Sequence, residues 1–269
     1  MTERSTYLME HDQEIVRLER KTDPGVVRAQ AAWAGIEPGM RVADIGFGSG
    51  KTTRELYAMV QPGGSAVGID ISAARVDYAR EVYQVDGITF LCRDATKELS
   101  DLGTFDLIWV RFLLEHYRSR AFEIARGLTR ILKPGGILCL IDLDYNCLNH
   151  FGMSSRLSEA LQGCMRRLEQ VADFDPHVGI KLYSFLYDLG FTEIRAELAA
   201  HHLIYGPLKE NDAFNWSRKL EVAVKHCGYE FPGYAGGYPE FKREFETFFA
   251  DPRRFTYTPI ISCRGRKPM

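Results

Sequence analysis

Two groups of residues in this 269-residue chain have types and spacings that can do chemistry. The first is Arg-Val-Ala-Asp-Ile-Gly-Phe-Gly-Ser-Gly-Lys-Thr-Thr at 41–53, an apolar run closed by Asp44 and followed by Gly46, Gly48 and Gly50. Alternate glycines let the main chain approach a ligand closely and hand it to a helix N-terminus, whose free N–H groups and positive dipole end suit a nucleotide-like molecule. The second group is Arg111, Glu115, His116, Tyr117, Asp142, Asp144 and Tyr145, which follow two later apolar runs. Among these His116 is best suited to take a proton near neutrality, its ordinary pKa being about 6.5, while Arg111 could bind an acid or pair with Asp142 or Asp144.

Spacing separates the ligand classes that use such a turn. A P-loop needs a glycine five residues before the glycine of Gly-Lys-Thr, and counting back from Gly50 that place is Ile45. A dinucleotide fingerprint ends Gly-x-x-Gly or Ala, and there Lys51 stands. Acid-x-Gly-x-Gly-x-Gly remains. About 20 residues on, the run at 66–72 ends a buried-type strand at Asp70, where an acid can hold a ribose diol.

The elements that must position these groups alternate. Strands are expected at 41–45, 66–70, 88–92, 106–110 and 137–142, with helices at 51–60, from Ser72 past Tyr83, and at 120–132, the last stopped by Lys133-Pro134-Gly135-Gly136. Short connections between them predict a parallel sheet covered on both faces. Upstream, 7–36 reads as two helices broken at Asp23-Pro24-Gly25, with Ile15 and Leu18, then Val27, Ala31 and Ala34, as apolar faces. Downstream, 145–170 reads as a partly helical insertion with Leu157, Leu161, Met165 and Leu168 on one face. Helices at 179–189, 211–225 and 239–249 and strands at 191–203 and 256–263 follow. Adjacent His201 and His202 should point to opposite faces of their strand and so share no metal. Phe214, Trp216, Tyr229, Phe231, Tyr234 and Tyr238 read either as a ring-binding pocket or as core.

Composition narrows the class. Hydrophobic residues make up 45% of the chain and the formal net charge is −2, so a full core is available and no basic excess exists to neutralise nucleic-acid phosphates. A small-molecule substrate is expected, with no nucleic acid and no membrane as partner and a homodimer left open. The polar start at 1–14 and the absence of any apolar run long enough to span a bilayer predict a cytoplasmic protein. The six cysteines, Cys92, Cys139, Cys147, Cys164, Cys227 and Cys263, lack metal-like spacing, so buried free thiols and no metal are expected.

Taken together, Asp44 with Gly46, Gly48 and Gly50, then Asp70, Asp94, Phe-Asp-Leu-Ile-Trp-Val-Arg-Phe-Leu-Leu-Glu-His at 105–116 and Leu-Lys-Pro-Gly-Gly-Ile-Leu-Cys-Leu-Ile-Asp at 132–142 resemble, in order and separation, the motifs of class I (Rossmann-like) S-adenosylmethionine (SAM) methyltransferases of the small-molecule type. The resemblance covers about 41–144. It implies a seven-stranded, mostly parallel α/β sheet of order 3-2-1-4-5-7-6 and three regions: an N-terminal helical lid at 1–38, a SAM-binding core at 39–145 and a substrate side with the last two strands at 146–269. It further implies that Asp70 holds the ribose, Ile71 packs on the adenine, and Asp94 with Ala95 meets the adenine amino group, while Arg111 and Tyr7 (with His11 beside it in the lid) face the cofactor. His116, Arg111 and Asp142 are the expected catalytic residues, and the reaction is expected to be methyl transfer to oxygen or nitrogen of a small, ring-bearing metabolite. A P-loop-like hydrolase, suggested by Gly-Ser-Gly-Lys-Thr-Thr, and a catalytically silent SAM binder are the alternatives.

Overall fold

The computed structural model describes residues 14–145 and 148–269. Tyr7, His11 and Cys147 lie outside the described residues. The first half alternates as its hydrophobic periods demand: α1 (Glu14–Lys21), α2 (Pro24–Ala34), β1 (Arg41–Ile45), α3 (Lys51–Met59), β2 (Ser65–Asp70), α4 (Ala73–Tyr83), β3 (Ile88–Cys92), β4 (Phe105–Arg111), α5 (Ala121–Leu128) and β5 (Leu132–Leu143). The second half carries β6 (His150–Phe151), α6 (Ser155–Val171), α7 (Leu182–Asp188), β7 (Thr192–Tyr205), α8 (Glu210–Cys227), α9 (Gly237–Ala250) and β8 (Phe255–Arg266).

β1 to β5 run parallel in the order β3-β2-β1-β4-β5. β8 enters antiparallel to β5, pairing Leu143 with Ile260 through Ile137 with Arg266. β7 pairs with β8 along its length, from Thr192 with Arg266 to Tyr205 with Phe255. The sheet has eight strands where seven are expected, because β6 pairs Thr256 and Phe255. β7 covers those same two residues, so β6 and β5 share the other edge of β8 in tandem.

Two boundaries correct the sequence reading. The helix expected at 120–132 stops at Leu128 and gives way to a tight turn at Thr129–Ile131. Lys133-Pro134-Gly135-Gly136 then lies within β5, where Gly135 N–H and Gly136 C=O bond to Lys267. A partner at the chain's far end keeps the stretch extended, which its local composition does not reveal. In β7 a bulge between Ala200 and His202 leaves His201 as the extra residue. A bulge breaks the two-residue alternation, so the rings of His201 and His202 lie 4.3 Å apart instead of on opposite faces.

Packing follows the apolar faces. Val27, Ala31 and Ala34 of α2 are fully buried against the sheet, and Ile124, Ala125 and Leu128 of α5 bury on its other side. Asp23 caps α2 by accepting from Gly25 N–H at 2.7 Å, with Pro24 in the first turn. α1 behaves otherwise: it turns Glu14 and Arg17 inward as an ion pair of 2.6 Å, while Ile15 and Leu18 are only partly buried. A second core between α6, α8 and α9 takes up Leu157, Leu161, Met165, Leu168, Trp216, Phe241 and Phe245. Of the described cysteines, Cys139, Cys164, Cys227 and Cys263 are buried thiols, whereas Cys92 is exposed at the end of β3, correcting the expectation that all are buried.

Candidate functional site

The β1–α3 turn has the conformation its glycines permit. Gly46, Gly48 and Gly50 take φ values of 75°, 67° and 93°. A Cβ on Gly46 would come within 2.9 Å of Leu113, and one on Gly48 within 3.2 Å of Leu18, so side chains at either place would fill the cradle. Gly50 does different work. A Cβ there would meet that of Ala79 at 2.7 Å, so glycine lets the start of α3 pack directly against α4.

Two acids flank the turn. Asp70, at the tip of β2, accepts from Gly48 N–H (3.0 Å), from Ser72 N–H (3.0 Å) and from the Arg75 guanidinium (2.9 and 3.0 Å). Asp44, at the tip of β1, accepts from Thr53 Oγ1 at 2.7 Å and is buried, and that burial pushes its carboxyl up to about 7.

A cavity opens above this turn at the carboxyl ends of the parallel strands, the place where open α/β sheets bind ligands. Asp44, Gly46, Gly48, Asp70, Ile71 and Ala95 line it, and Arg111, Phe112, Glu115, His116, Met165 and Lys219 are among the other lining residues. α1 closes over the turn: Arg17, Leu18 and Lys21 reach the cavity, Lys51 Nζ donates to the Glu19 carbonyl at 2.9 Å, and Tyr83 Oη donates to Glu19 Oε2 at 2.8 Å.

Of the residues expected from sequence, Gly50, Asp94, Asp142, Asp144 and Tyr145 do not line the cavity, Tyr145 packing its ring 4.7 Å from that of His177. Asp94 accepts from Thr96 N–H at 2.8 Å and shapes the turn that presents Ala95. Asp142 is buried, accepts from Leu143 N–H (2.9 Å) and Glu115 N–H (3.2 Å), and is held well above the ordinary carboxylate range by burial and by Glu115. It therefore holds the short helical turn Leu114–His116 from behind the cavity wall. Arg111 pairs with neither Asp142 nor Asp144: its Nε donates to Gln30 Oε1 at 3.1 Å and its guanidinium lies 4.1 Å over the Phe112 ring. Burial lowers it to about 10. Asp144 pairs instead with His177 at 3.2 Å.

His116 is buried at the cavity wall, 5.7 Å ring to ring from Phe174, with Nε2 3.5 Å from Glu115 Oε1. Burial lowers its pKa below 6.5, with Glu115 working in the opposite direction. The ring is thus neutral at pH 7 and able to take a proton.

The six tail aromatics do not line the cavity. Trp216, Phe231 and Tyr234 are buried in the second core with Tyr229 and Tyr238 packed against it, and Phe214 is exposed. Among the described residues, the Phe, Tyr and Trp rings that reach the cavity are Phe47, Phe112, Tyr117 and Phe174. Lys21, Arg75 and Lys219 also line the cavity, and no motif or spacing in the sequence marks them.

Residues 42–136 match a family model described as a methyltransferase domain. The chain is 32% identical over 113 residues to the ubiquinone/menaquinone biosynthesis C-methyltransferase UbiE of Pseudomonas paraeruginosa, covering 40% of this chain and 44% of that one. It is 35% identical over 120 residues to the 2-methyl-6-phytyl-1,4-hydroquinone methyltransferase of Synechocystis, covering 43% of this chain and 37% of that one. The chain thus spans less than half the length of these curated relatives. The solved structure of Haemonchus contortus phosphoethanolamine N-methyltransferase 2 with SAM superposes with a TM-score of 0.60 at 16% identity, over 99% of this chain and 59% of that one, a likeness of fold.

Proposed function

We propose that this chain, a member of the class I SAM-dependent methyltransferases, transfers the methyl group of SAM to a small, ring-bearing metabolite held between the glycine turn and α6 and α8. The observation that carries the reading is the convergence of Asp44, Gly46, Gly48 and Asp70 on one cavity that His116 and residues from the second half of the chain also line. The cradle that a Cβ would fill and the Asp70 carboxylate, aimed by Arg75, fit an adenosyl group; Asp44 fits a cationic one.

When bound, SAM supplies an electrophilic methyl group on a positively charged sulfur. The chain's own part is to hold and align the two reactants and keep water out, worth several kcal/mol of barrier in well-oriented reactions. Asp70 would hold the ribose hydroxyls and Ile71 and Ala95 the adenine, while α1 covers the site. For an oxygen or nitrogen acceptor bearing a proton, neutral His116 is the base, and Glu115 Oε1 beside Nε2 stabilises the ring once protonated. In this reading 1–38 covers the site, 39–145 holds the cofactor and 146–269 shapes the acceptor side.

The UbiE name specifies carbon methylation and the Synechocystis relative acts on a hydroquinone, which supports an activated ring carbon as a further acceptor beside oxygen and nitrogen. A P-loop-like hydrolase is disfavoured because the Lys51 ammonium is engaged by Glu19 on α1 and does not line the cavity. Calorimetry with SAM and S-adenosylhomocysteine, followed by transfer of label from SAM to a metabolite pool, tests the reading. Binding of ATP or NAD without SAM overturns it, and binding with no label transferred to any pool leaves a silent SAM binder.

A further inference from the structure

β7 is an edge strand: among the described residues it pairs with β8 alone. The outer side of Thr192–Tyr205 thus presents backbone N–H and C=O groups with no neighbouring strand among those residues, a template on which another strand can pair.

The two faces of β7 differ. Its register sets Ala196, Leu198, Leu203 and Tyr205 opposite Cys263, Ile261, Tyr257 and Phe255, alternate residues of β8, so all four share one face, the bulge at His201 included. α7 covers this face at the start of β7, where Ile194 packs against the core that holds Leu182 and Leu186. Farther along, Leu198, Leu203 and Tyr205 stand 70%, 53% and 64% exposed. α7 in turn carries Tyr183 and Tyr187 exposed, their rings stacked at 6.2 Å. The opposite face of β7 bears Arg195 and Glu197, both exposed, on either side of Ala196.

We propose that this chain forms a two-fold homodimer through antiparallel pairing of β7 with β7 of a second copy, centred on Ala196. A two-fold contact joins a patch to itself, so the patch must be its own complement. One base and one acid two residues apart meet that condition: Arg195 of each copy lies opposite Glu197 of the other, and a slip of one residue loses both pairs. The same register sets Leu198 opposite Ile194. It also carries Leu203 and Tyr205 toward the end of the second strand that α7 feeds, so the uncovered half of each apolar face meets the tyrosines of the other copy's α7. These five exposed side chains offer on the order of 100 Å² each, which with the backbone of the ladder approaches the ~800 Å² per partner that a stable interface buries. A lipid surface fits less well, since this edge bears both signs of charge and the chain's net charge is −2.

Sedimentation equilibrium of the full chain, from sub-micromolar to tens of micromolar, should show a monomer–dimer equilibrium. Arg195→Glu and Glu197→Arg, made singly, each set like charges opposite one another at both symmetry-related positions. Each should raise the dissociation constant about tenfold or more. The double variant restores both pairs with their signs exchanged and should recover the dimer, which a general loss of surface charge would not do. Far-ultraviolet circular dichroism shows that each variant is folded. A monomer at every concentration, a dimer that both single variants leave intact, or a double variant no better than the singles overturns the proposal. A monomer that instead floats with phosphatidylcholine–phosphatidylserine vesicles gives the apolar face to a lipid surface and likewise overturns it.

Discussion

Arg75 and Asp70 face each other as a buried fork, Nε and Nη2 lying 3.0 and 2.9 Å from the one oxygen Oδ1, which leaves Oδ2 with Gly48 N–H and the cavity. The guanidinium thus aims the carboxylate that the cofactor's ribose would meet. Asp70→Ala should weaken SAM binding about 10- to 100-fold, as expected for losing hydrogen bonds to a charged group. Arg75→Gln should weaken it less, through misorientation. Titration calorimetry reads both, and an unchanged affinity for Asp70→Ala would remove Asp70 from the ribose site.

If Asp44 faces the cofactor's positive charge, SAM affinity should depend on pH. The Asp44 carboxyl titrates at about 7 in the folded protein against an ordinary 3.8, and a bound cation favours the ionised form. SAM affinity should therefore rise from pH 6 to pH 8 and level off above. The uncharged sulfur of S-adenosylhomocysteine should give a shallower rise, and Asp44→Asn should flatten both. The sign for stability is opposite: the folded state holds this proton between 3.8 and about 7, so this group's contribution is present at low pH and is lost as pH rises through that window. A SAM affinity that is flat with pH in the unmodified protein would exclude Asp44 as its charge partner.

His116 carries the proposed proton transfer. With a folded pKa below 6.5, its rate profile should lose activity only on the acid side of that value. His116→Ala should cut turnover about 10²-fold or more with SAM affinity nearly intact, the usual size of a lost general base. Equal turnover would reassign His116 to cavity structure, as would be expected for a carbon acceptor that needs no base at this position.

Gly50 offers a prediction on stability. It holds φ of 93° with Ala79 Cβ 2.7 Å from where its own Cβ would sit. Gly50→Ala combines a left-handed backbone cost with overpacking and should destabilise the chain by about 2–4 kcal/mol, seen as a lowered urea midpoint. Gly63→Ala, also at positive φ but with nothing within 4 Å, should show only the backbone part. Equal midpoints for the two variants would rule out the α3–α4 contact as the cause.

What could be read from sequence was the part whose geometry is local. Asp44, Gly46, Gly48 and Asp70 converge because a strand, a tight turn and a helix start leave their side chains few alternatives, so spacing alone identifies them. Lys21 and Lys219 are nearly two hundred positions apart on helices whose charges look solvated. Only the fold brings them to one cavity. The bulge at His201 inverts an alternation argument that holds for any regular strand. The aromatic tail was ambiguous for a physical reason: the ring that binds a ligand and the ring that fills a helical core have the same hydrophobicity, and α6, α8 and α9 needed theirs for each other.

β8 meets β5 and β6 along one edge and β7 along the other, and it is the last strand of the chain. During synthesis from the N-terminus, β1 to β5 can assemble as soon as they emerge, each finding its neighbour among residues already made. β7 cannot. Its backbone groups wait, through the making of α8 and α9, for a strand that leaves the ribosome some fifty residues later. Until then the parallel sheet ends at a bare β5. Full pairing of β7 therefore waits for β8 in the order in which the chain is made.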